Sequence, residues 1–273
     1  MTKAATEPAI ACSPVKLSGF VWLLVFVGCS VGGGAEIPAS PTSIVPPDTV
    51  VVTSVTDGDS FRAQGEEFRL FGINAPERNE CFGDAAHQWL SQQIEGKEVA
   101  VVPQAIDQFD RIVVDVPIGA SSISHEATAT GHAFALSDTR ATLLEGESLA
   151  MESMLGLWAV DICGAAGPKV ELIIDEVDFD PPGDDEREVV VIRNGSEEAI
   201  DLGGFVLRDE SSVNRFTFPV TTLAAGETVA VTTGCPRGGA TLGWCSDQPV
   251  WNNNGDAVIL LDHFGRVVAF RRY

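Results

Sequence analysis

The sequence predicts two domains of different class, a mixed α+β barrel followed by an all-β sandwich. Up to residue 163, short runs with the period-two alternation of strands are interleaved with segments whose apolar residues recur at helical spacing. After residue 165 only strand-like runs separated by turn signals remain. The chain has 273 residues, 45% of them hydrophobic, which is enough for two ordinary cores. We therefore expect one domain over 50–163 and a second over 169–273, joined by a linker at 164–168.

The first domain is expected to contain the strands 51–55, 60–64, 67–73, 98–103 and 111–118. The turn Asp57-Gly58-Asp59 separates the first two of these runs. Helical spacing predicts helices over 84–96, 125–136 and 141–158, and Gly96 is suited to cap the first of them. Five strands with interleaved helices fit a small Greek-key barrel of the OB type, an architecture that commonly binds nucleic acid.

The second domain is expected to be all β. Its strand-like runs are 170–177, 188–196, 199–209, 214–220, 227–234, 257–263 and 266–273. Asn194-Gly195 is a typical turn signal between two of them. Short strands at this spacing, with no helical periodicity between them, predict an immunoglobulin-like sandwich.

The N-terminal segment indicates export. Two lysines accompany an apolar run at 17–28, which is too short for a comfortable bilayer span and suits the apolar region of a signal peptide. The run ends in FVGC, which resembles the lipobox of bacterial lipoproteins and implies a leader over 1–29 and a lipid anchor on Cys29. An ordinary cleaved signal and an uncleaved anchor are the alternatives, and each also predicts export. Residues 30–49, rich in Gly, Pro and Ser, are expected to form a tether.

Four cysteines follow Cys29, namely Cys81, Cys163, Cys235 and Cys245. An even number in an exported chain suggests two disulfides, for which three connectivities are possible. We favour Cys81–Cys163 and Cys235–Cys245, because each bond then lies within one expected domain.

The net charge of −22 limits how the protein can bind nucleic acid. Both expected domains carry an excess of acidic residues, so neither offers a broad basic surface. This argues against tight, non-specific binding to duplex nucleic acid through counterion release. Chemistry on nucleic acid would have to depend on a few local cations or on a bound metal.

Six ordered segments of the first domain resemble the staphylococcal-nuclease-like (thermonuclease) family over about residues 50–163. They are VTDGDSFR, FRLFGINAPE, ECFGDAA, DQFDR, GHAFAL and GLW. The resemblance implies a Ca²⁺-dependent phosphodiesterase on an OB-type barrel. It also implies metal ligands at Asp59, Asn74 and the Ala75 carbonyl, phosphate-binding arginines at Arg69 and Arg111, and a general base at Glu77.

The residues that depart from the family's pattern lie at or directly before these positions. Asn74 stands where the family has an acid, so restoring an acid there is expected to tighten the metal site. Phe109 and Asp110 stand where the family has Tyr and Gly before the second arginine, and Asp110 adds negative charge near the phosphate site.

Hydrolysis of a phosphodiester requires the kinds of group that FRLFGINAPE carries. The reaction adds negative charge at phosphorus, and a base must take a proton from the attacking water. An arginine fork can hold two phosphate oxygens, a carboxylate such as Glu77 can act as the base, and Pro76 fixes the backbone between them. Each group also has an ordinary structural explanation: D-G-D is a common turn, Arg69 and Glu77 can form a surface ion pair, and acidic neighbours can neutralise Arg111.

The second domain resembles the lamin-tail domain over about residues 168–273. The segments that carry the resemblance are IIDEV, VVVIRNGS, IDLGGFVLRD, FTFP, LAAGETVAV and VWNNNGDAVILLD. The resemblance implies an accessory module of the kind that exported bacterial enzymes carry. The sequence does not indicate what this domain binds.

The sequence therefore predicts an exported, lipid-anchored nuclease acting on DNA and/or RNA, with a lamin-tail-like accessory domain tethered behind it. The alternative is a catalytically weak or inactive nuclease fold that serves as a cell-surface binding or adhesion protein. A scaffold in which both domains bind only proteins is a further alternative.

Overall fold

The structure is a computed structural model that describes residues 48–163, 170–181, 188–211, 213–236 and 241–273. The expected leader with Cys29, the tether up to residue 47 and the 164–168 linker lie outside these ranges. Within the described ranges, no helix is both long and apolar enough to cross a bilayer.

The first domain is built on a closed barrel of five strands. Its elements are β1 (Asp48–Val55), β2 (Ser60–Ala63), β3 (Glu66–Leu70), β4 (Ile73–Asn74), α1 (Gly83–Ile94), β5 (Glu98–Ile106), β6 (Ile112–Asp115), β7 (Pro117–Ile118), β8 (Ser121–Ser122), α2 (Ile123–Ala129), β9 (Phe134–Ala135) and α3 (Ala141–Glu152). The barrel closes in the order β1-β2-β3-β6-β5, with β3 and β6 parallel and the other neighbours antiparallel. The expected barrel is confirmed.

Alternation along the strands and helical spacing in α1 form the barrel core. Val50 and Val52 of β1 are buried, whereas Val51 between them is exposed. In α1 the buried side chains Ala86, Leu90 and Ile94 recur every four residues, so they form one stripe against the barrel.

The helix expected over 125–136 is shorter than the sequence suggested and ends at Ala129. Gly131 then adopts φ of 69°, and a Cβ there would lie 2.3 Å from the carbonyl oxygen of Leu155, so the chain must leave the helix at this point. Beyond it, Phe134 and Ala135 pair with Asn74 and Ile73. The helix expected over 141–158 likewise ends at Glu152.

The second domain is a sandwich of two four-stranded sheets. Its strands are β10 (Leu172–Asp178), β11 (Val189–Asn194), β12 (Ile200–Asp201), β13 (Val206–Arg208), β14 (Arg215–Thr217), β15 (Thr222–Leu223), β16 (Thr228–Thr232), β17 (Leu242–Gly243), β18 (Ala257–Leu261) and β19 (Val267–Arg272). One sheet has the order β10-β11-β16-β17 and the other β14-β13-β18-β19. Side chains from both sheets share one buried apolar cluster, as the expected immunoglobulin-like sandwich requires.

Both disulfides join the cysteines that we favoured. Cys81 is bonded to Cys163 across 82 residues, and Cys235 is bonded to Cys245 across 10. The first bond ties the turn that precedes α1 to the end of the barrel domain.

The two domains pack directly against each other, and the described residues of both belong to one compact unit. The apolar part of the contact is centred on β18, which is buried on both faces. Val258 and Leu260 point into the sandwich core. Their neighbours in β18 point the other way, into an interdomain cluster whose buried members are Phe134, Leu157, Ala257, Ile259 and Leu261. The barrel domain therefore covers the outer face of one sheet of the sandwich.

Candidate functional site

The candidate site begins at the turn between β1 and β2. The Asp57 carboxylate accepts a hydrogen bond from the Asp59 backbone N–H at 3.0 Å, which closes the turn. A Cβ on Gly58 would lie 2.6 Å from the Cβ of Ala75 and 2.7 Å from that of Ala86, so only glycine allows this approach. The turn is therefore pressed against the segment that follows β3, which we call the strand-exit segment (residues 71–80).

Arg69, near the end of β3, connects the turn to the strand-exit segment. Its Nη1 donates to Asp59 Oδ1 at 2.6 Å, and its Nη2 donates to Asn74 Oδ1 at 2.9 Å and to the Ile73 carbonyl at 3.1 Å. Asp59 is buried, and its Oδ2 accepts from the Ala75 N–H at 2.8 Å. One guanidinium thus holds two of the three expected metal ligands, and Asp59 fixes the backbone of the third.

Glu77 lies one residue beyond Pro76, with its side chain exposed. Its backbone N–H donates to Glu80 Oε2 at 3.1 Å, and its carbonyl accepts from the Glu80 N–H at 2.8 Å. Although Glu77 is exposed, the surrounding protein removes part of its carboxyl from water, which raises the pKa of that group, and the nearby Asp59 and Glu80 carboxylates raise it further. Glu77 therefore presents its carboxylate to solvent from a turn whose backbone is held in place.

Negative charge accumulates at this end of the barrel. Burial and the Asp59 carboxylate raise the pKa of Asp57 to about 7, against the action of a hydrogen bond from the Asp59 backbone. A bound cation would offset the negative charge of Asp59 that opposes the ionisation of Asp57.

Arg111 is bonded to a carboxylate of its own turn. Its Nε donates to Asp107 Oδ2 at 2.8 Å, and it has no hydrogen bond to Asp59, Arg69, Asn74 or Glu77. Arg111 directly precedes β6. Because Val113 of β6 is paired with Arg69, Arg111 lies two residues before the residue that is opposite Arg69. Asp107 thus occupies part of a guanidinium that we expected to face phosphate.

The departures at 109 and 110 have a structural explanation. Asp110 adopts φ of 61°, the left-handed region that favours Gly and that Asp also tolerates. The turn is therefore kept although Gly is absent. Phe109 is 64% exposed, and its ring lies 5.3 Å from the Arg111 guanidinium carbon. An exposed ring beside a cation is a suitable surface for stacking a nucleobase.

The expected metal ligands are oxygen donors, the type that Ca²⁺ prefers. In the part of the chain that the structure describes, however, no three His, Cys, Asp or Glu side chains are grouped as a metal site. Asp59, Asn74 and the Ala75 carbonyl would supply one carboxylate, one amide oxygen and one backbone oxygen. They fit a hard cation in kind, with water completing the shell.

Comparison with known families gives a match for each of the two domains. Residues 67–160 match the model of the staphylococcal nuclease homologue family, and residues 165–273 match that of the lamin tail domain. The chain joins a staphylococcal-nuclease-like domain to a lamin-tail domain.

The curated relatives resemble the nuclease-like domain. "Probable staphylococcal-like nuclease CAN4" of Oryza sativa subsp. japonica is 34% identical over 106 residues, which cover 38% of this chain and 21% of that protein. "Probable endonuclease LCL3" of Komagataella phaffii is 32% identical over 111 residues, covering 34% and 49%. "Staphylococcal-like nuclease CAN1" of Arabidopsis thaliana is 32% identical over 93 residues, covering 33% and 29%. The chain thus spans between about a fifth and a half of the length of these relatives.

Three residues at the site were not found from the sequence. Glu80 lies in the strand-exit segment, but Glu210 and Arg215 belong to the lamin-tail domain. The Glu210 carbonyl accepts from Asn74 Nδ2 at 3.0 Å, and the Arg215 guanidinium is paired with the Glu80 carboxylate. No local pattern signals a contact between residues 135 or 136 positions apart.

Proposed function

We propose that this protein is an exported nuclease that hydrolyses phosphodiester bonds of DNA and/or RNA with the help of Ca²⁺. The observation that carries the proposal is the convergence of Asp59, Arg69, Asn74 and Glu77 at one end of the barrel. The match to the nuclease family and the names of the relatives support the same chemistry. The lamin-tail domain has no assigned ligand in this proposal.

Arg69 is suited to bind the phosphate. A guanidinium has five N–H donors, and three of those on Arg69 are engaged by Asp59, Ile73 and Asn74. These three bonds hold the side chain in one orientation, and its remaining donors are available to non-bridging phosphate oxygens. Because arginine stays charged at all working pH values, it opposes the charge that develops at phosphorus.

Glu77 is suited to take the proton from the attacking water. Its carboxylate is exposed to solvent, whereas its backbone is held by Glu80 on both the N–H and the carbonyl side. A carboxylate so placed can act as a general base, which contributes on the order of 10²–10⁴-fold to a rate. Arg111 would add a second positive charge from the turn that precedes β6.

The metal would be held by Asp59, Asn74 and the Ala75 carbonyl. Ca²⁺ bound there would neutralise phosphate charge and orient the substrate. Asp57 and Asp59 lie in one tight turn, and a cation held there would offset the charge of their two carboxylates.

Export and a lipid anchor on Cys29 complete the proposal. Their support is the apolar run at 17–28 that ends in FVGC. The two disulfides also suit an oxidising compartment outside the cytoplasm.

The test is a nuclease assay of the full chain on labelled single-stranded DNA and RNA, with Ca²⁺ or with EGTA. Wild-type protein should cleave at least one substrate in Ca²⁺ and not in EGTA. Glu77→Gln should lower the rate by about 10²-fold or more, because the amide cannot accept the proton. Glu98→Gln is the matched control, since Glu98 is an exposed glutamate on β5, and it should leave the rate unchanged.

Two results would count against the proposal. A wild-type protein that binds but does not cleave either substrate would favour the alternative of a binding or adhesion protein. A folded Glu77→Gln variant with wild-type activity would remove Glu77 from the mechanism.

A further inference from the structure

The lamin-tail domain reaches the candidate site at two points, one in the loop between β13 and β14 and one at the start of β14. The first is Glu210, whose backbone carbonyl accepts from Asn74 Nδ2 at 3.0 Å. Both residues are buried, with exposures of 6% and 4%. An amide can donate to this carbonyl whereas a carboxylate cannot, so Asn74 is matched to the lamin-tail domain beside it.

Glu210 is itself fixed in place by its side chain. The Glu210 carboxylate accepts from the Ser137 backbone N–H at 2.9 and 3.0 Å and from Ser137 Oγ at 2.6 Å. It also accepts from Arg272 Nη1 at 2.9 Å, and the other amino group of Arg272 donates to the Glu147 carboxylate and the Ala135 carbonyl, both at 2.8 Å. The carbonyl that holds Asn74 is therefore anchored to both domains.

The second point of contact is Arg215, at the start of β14. Its guanidinium is paired with Oε1 of Glu80, and the other oxygen of that carboxylate accepts from the Glu77 N–H at 3.1 Å. The Glu80 carboxylate thus connects a cation of the lamin-tail domain to the backbone of the residue that we propose as the base. Glu80 is 16% exposed and Arg215 31% exposed, so water screens this pair only in part.

The apolar contact between the domains holds Glu210 and Arg215 in position against the barrel domain. Ile259 of β18 is fully buried in the interdomain cluster, and the Arg208 guanidinium carbon lies 4.9 Å from the ring centroid of Phe134. Gly265 lies so close to Cys81 that a Cβ there would be 3.1 Å from the Cys81 Cβ. A domain docked this closely can hold side chains in one geometry, which a freely tethered module cannot do.

We propose that the lamin-tail domain is a structural part of the nuclease site, in which Glu210 and Arg215 act as positioning residues. Glu210 orients the Asn74 amide, and Arg215 orients Glu80 and through it the turn that carries Glu77. The inference rests on the proposed function, since it assigns a role within that site. Neither residue is placed on the substrate, and both act through residues of the barrel domain.

The test compares Arg215→Gln with Arg193→Gln in the full chain. Arg193 is the matched control because it also pairs with a carboxylate, that of Asp175, on the lamin-tail domain, at 2.7 Å and away from the interdomain contacts. Two quantities are measured: hydrogen exchange of the Glu77 amide, and kcat and KM on a single-stranded DNA oligonucleotide in Ca²⁺. Arg215→Lys, which keeps the charge, is the conservative variant.

Arg215→Gln should speed exchange of the Glu77 amide by about tenfold and lower kcat by about tenfold, with KM within about twofold of wild type. Arg215→Lys should recover part of both losses, and Arg193→Gln should resemble wild type. Unchanged exchange and unchanged kcat in Arg215→Gln would overturn the inference. A rise in KM alone would also overturn it, because Arg215 would then bind substrate directly.

The exchange measurement separates this inference from the proposed function. If wild-type protein does not cleave, the proposed function fails, and faster Glu77 exchange in Arg215→Gln still supports the positioning role. If wild-type protein cleaves and Arg215→Gln matches it in both quantities, only the positioning role fails.

Discussion

The strand-exit segment and the loop between β13 and β14 meet at the candidate site, and they contribute different things. The strand-exit segment, with Arg69 just before it, carries the carboxylate and oxygen donors that phosphodiester chemistry needs. The loop and the start of β14 carry Glu210 and Arg215, which bond to Asn74 and Glu80. In this account the barrel supplies the reacting groups, and the lamin-tail domain supplies supports for them.

The two regions also differ in how far their contacts reach along the chain. Arg69 and Asp59 are separated by 10 residues, and Ala75 and Asp59 by 16. The contacts of Glu210 and Arg215 with the strand-exit segment span 136 and 135 residues. Single polar contacts cannot hold segments this distant together, so these depend on the apolar packing around β18. The difference teaches that a local motif reveals reacting groups, whereas their supports depend on the docking of whole domains.

Adjacent residues of β18 provide the largest expected effect. Ile259 is buried in the interdomain cluster and Leu260 in the sandwich core, and both are fully buried. Ile259→Ala and Leu260→Ala should each lower the free energy of unfolding by about 2–5 kcal/mol, because each leaves a cavity. Only Ile259→Ala should also lower kcat, since it loosens the contact between the domains. Denaturant unfolding and kcat per folded molecule measure the two effects.

A milder substitution at position 259 covers the case in which the alanine variants do not fold. If the alanine variants do not fold, Ile259→Val should give the same pattern with a loss of about 0.5–1.5 kcal/mol. Equal kcat in the Ile259 and Leu260 variants would mean that the contact between the domains does not support the site.

Asn74→Asp should give a smaller loss of stability. The carboxylate would lose the hydrogen bond to the Glu210 carbonyl and place one buried oxygen against another, which should cost about 1–3 kcal/mol. The added charge should still move the Ca²⁺ dependence of activity to lower concentration, as the sequence suggested. Thermal unfolding without metal and a Ca²⁺ titration of activity separate the two. Asn254→Asp, an exposed control, should change neither. An Asn74→Asp variant as stable as wild type would show that the bond to Glu210 is unimportant.

Much of the fold followed from local periodicity in the sequence. Apolar residues alternate along the barrel strands and along many strands of the sandwich, because one face of each strand is buried in the core of its own domain. Strands of two residues such as β4, β9 and β17 were missed, since they are too short to show a period. The helix expected over 125–136 was too long because the packing of Gly131 on Leu155, which ends it, is a tertiary contact.

The candidate site was predicted only as far as its local part. Asp59, Arg69, Asn74 and Glu77 come together because they flank one strand exit, whereas Arg111 is held by Asp107 instead. One signal of the missing part was present in the run AVILL at 257–261. A strand apolar at every position is covered on both faces, and a lone sandwich would leave one face of this sheet in water. The sequence of this strand could not show that the barrel domain covers its outer face.

The most direct test of the account is a double-mutant cycle between Glu80 and Arg215, measured as kcat of the full chain in Ca²⁺. Glu80→Ala and Arg215→Gln should each lower kcat by about tenfold or more, because each breaks the connection to the Glu77 backbone. If the two residues act through one another, the double variant should be no more than about twofold slower than the slower single variant. A double variant in which the two losses multiply, to about a hundredfold or more, would contradict the claim that the lamin-tail domain supports the site through this pair.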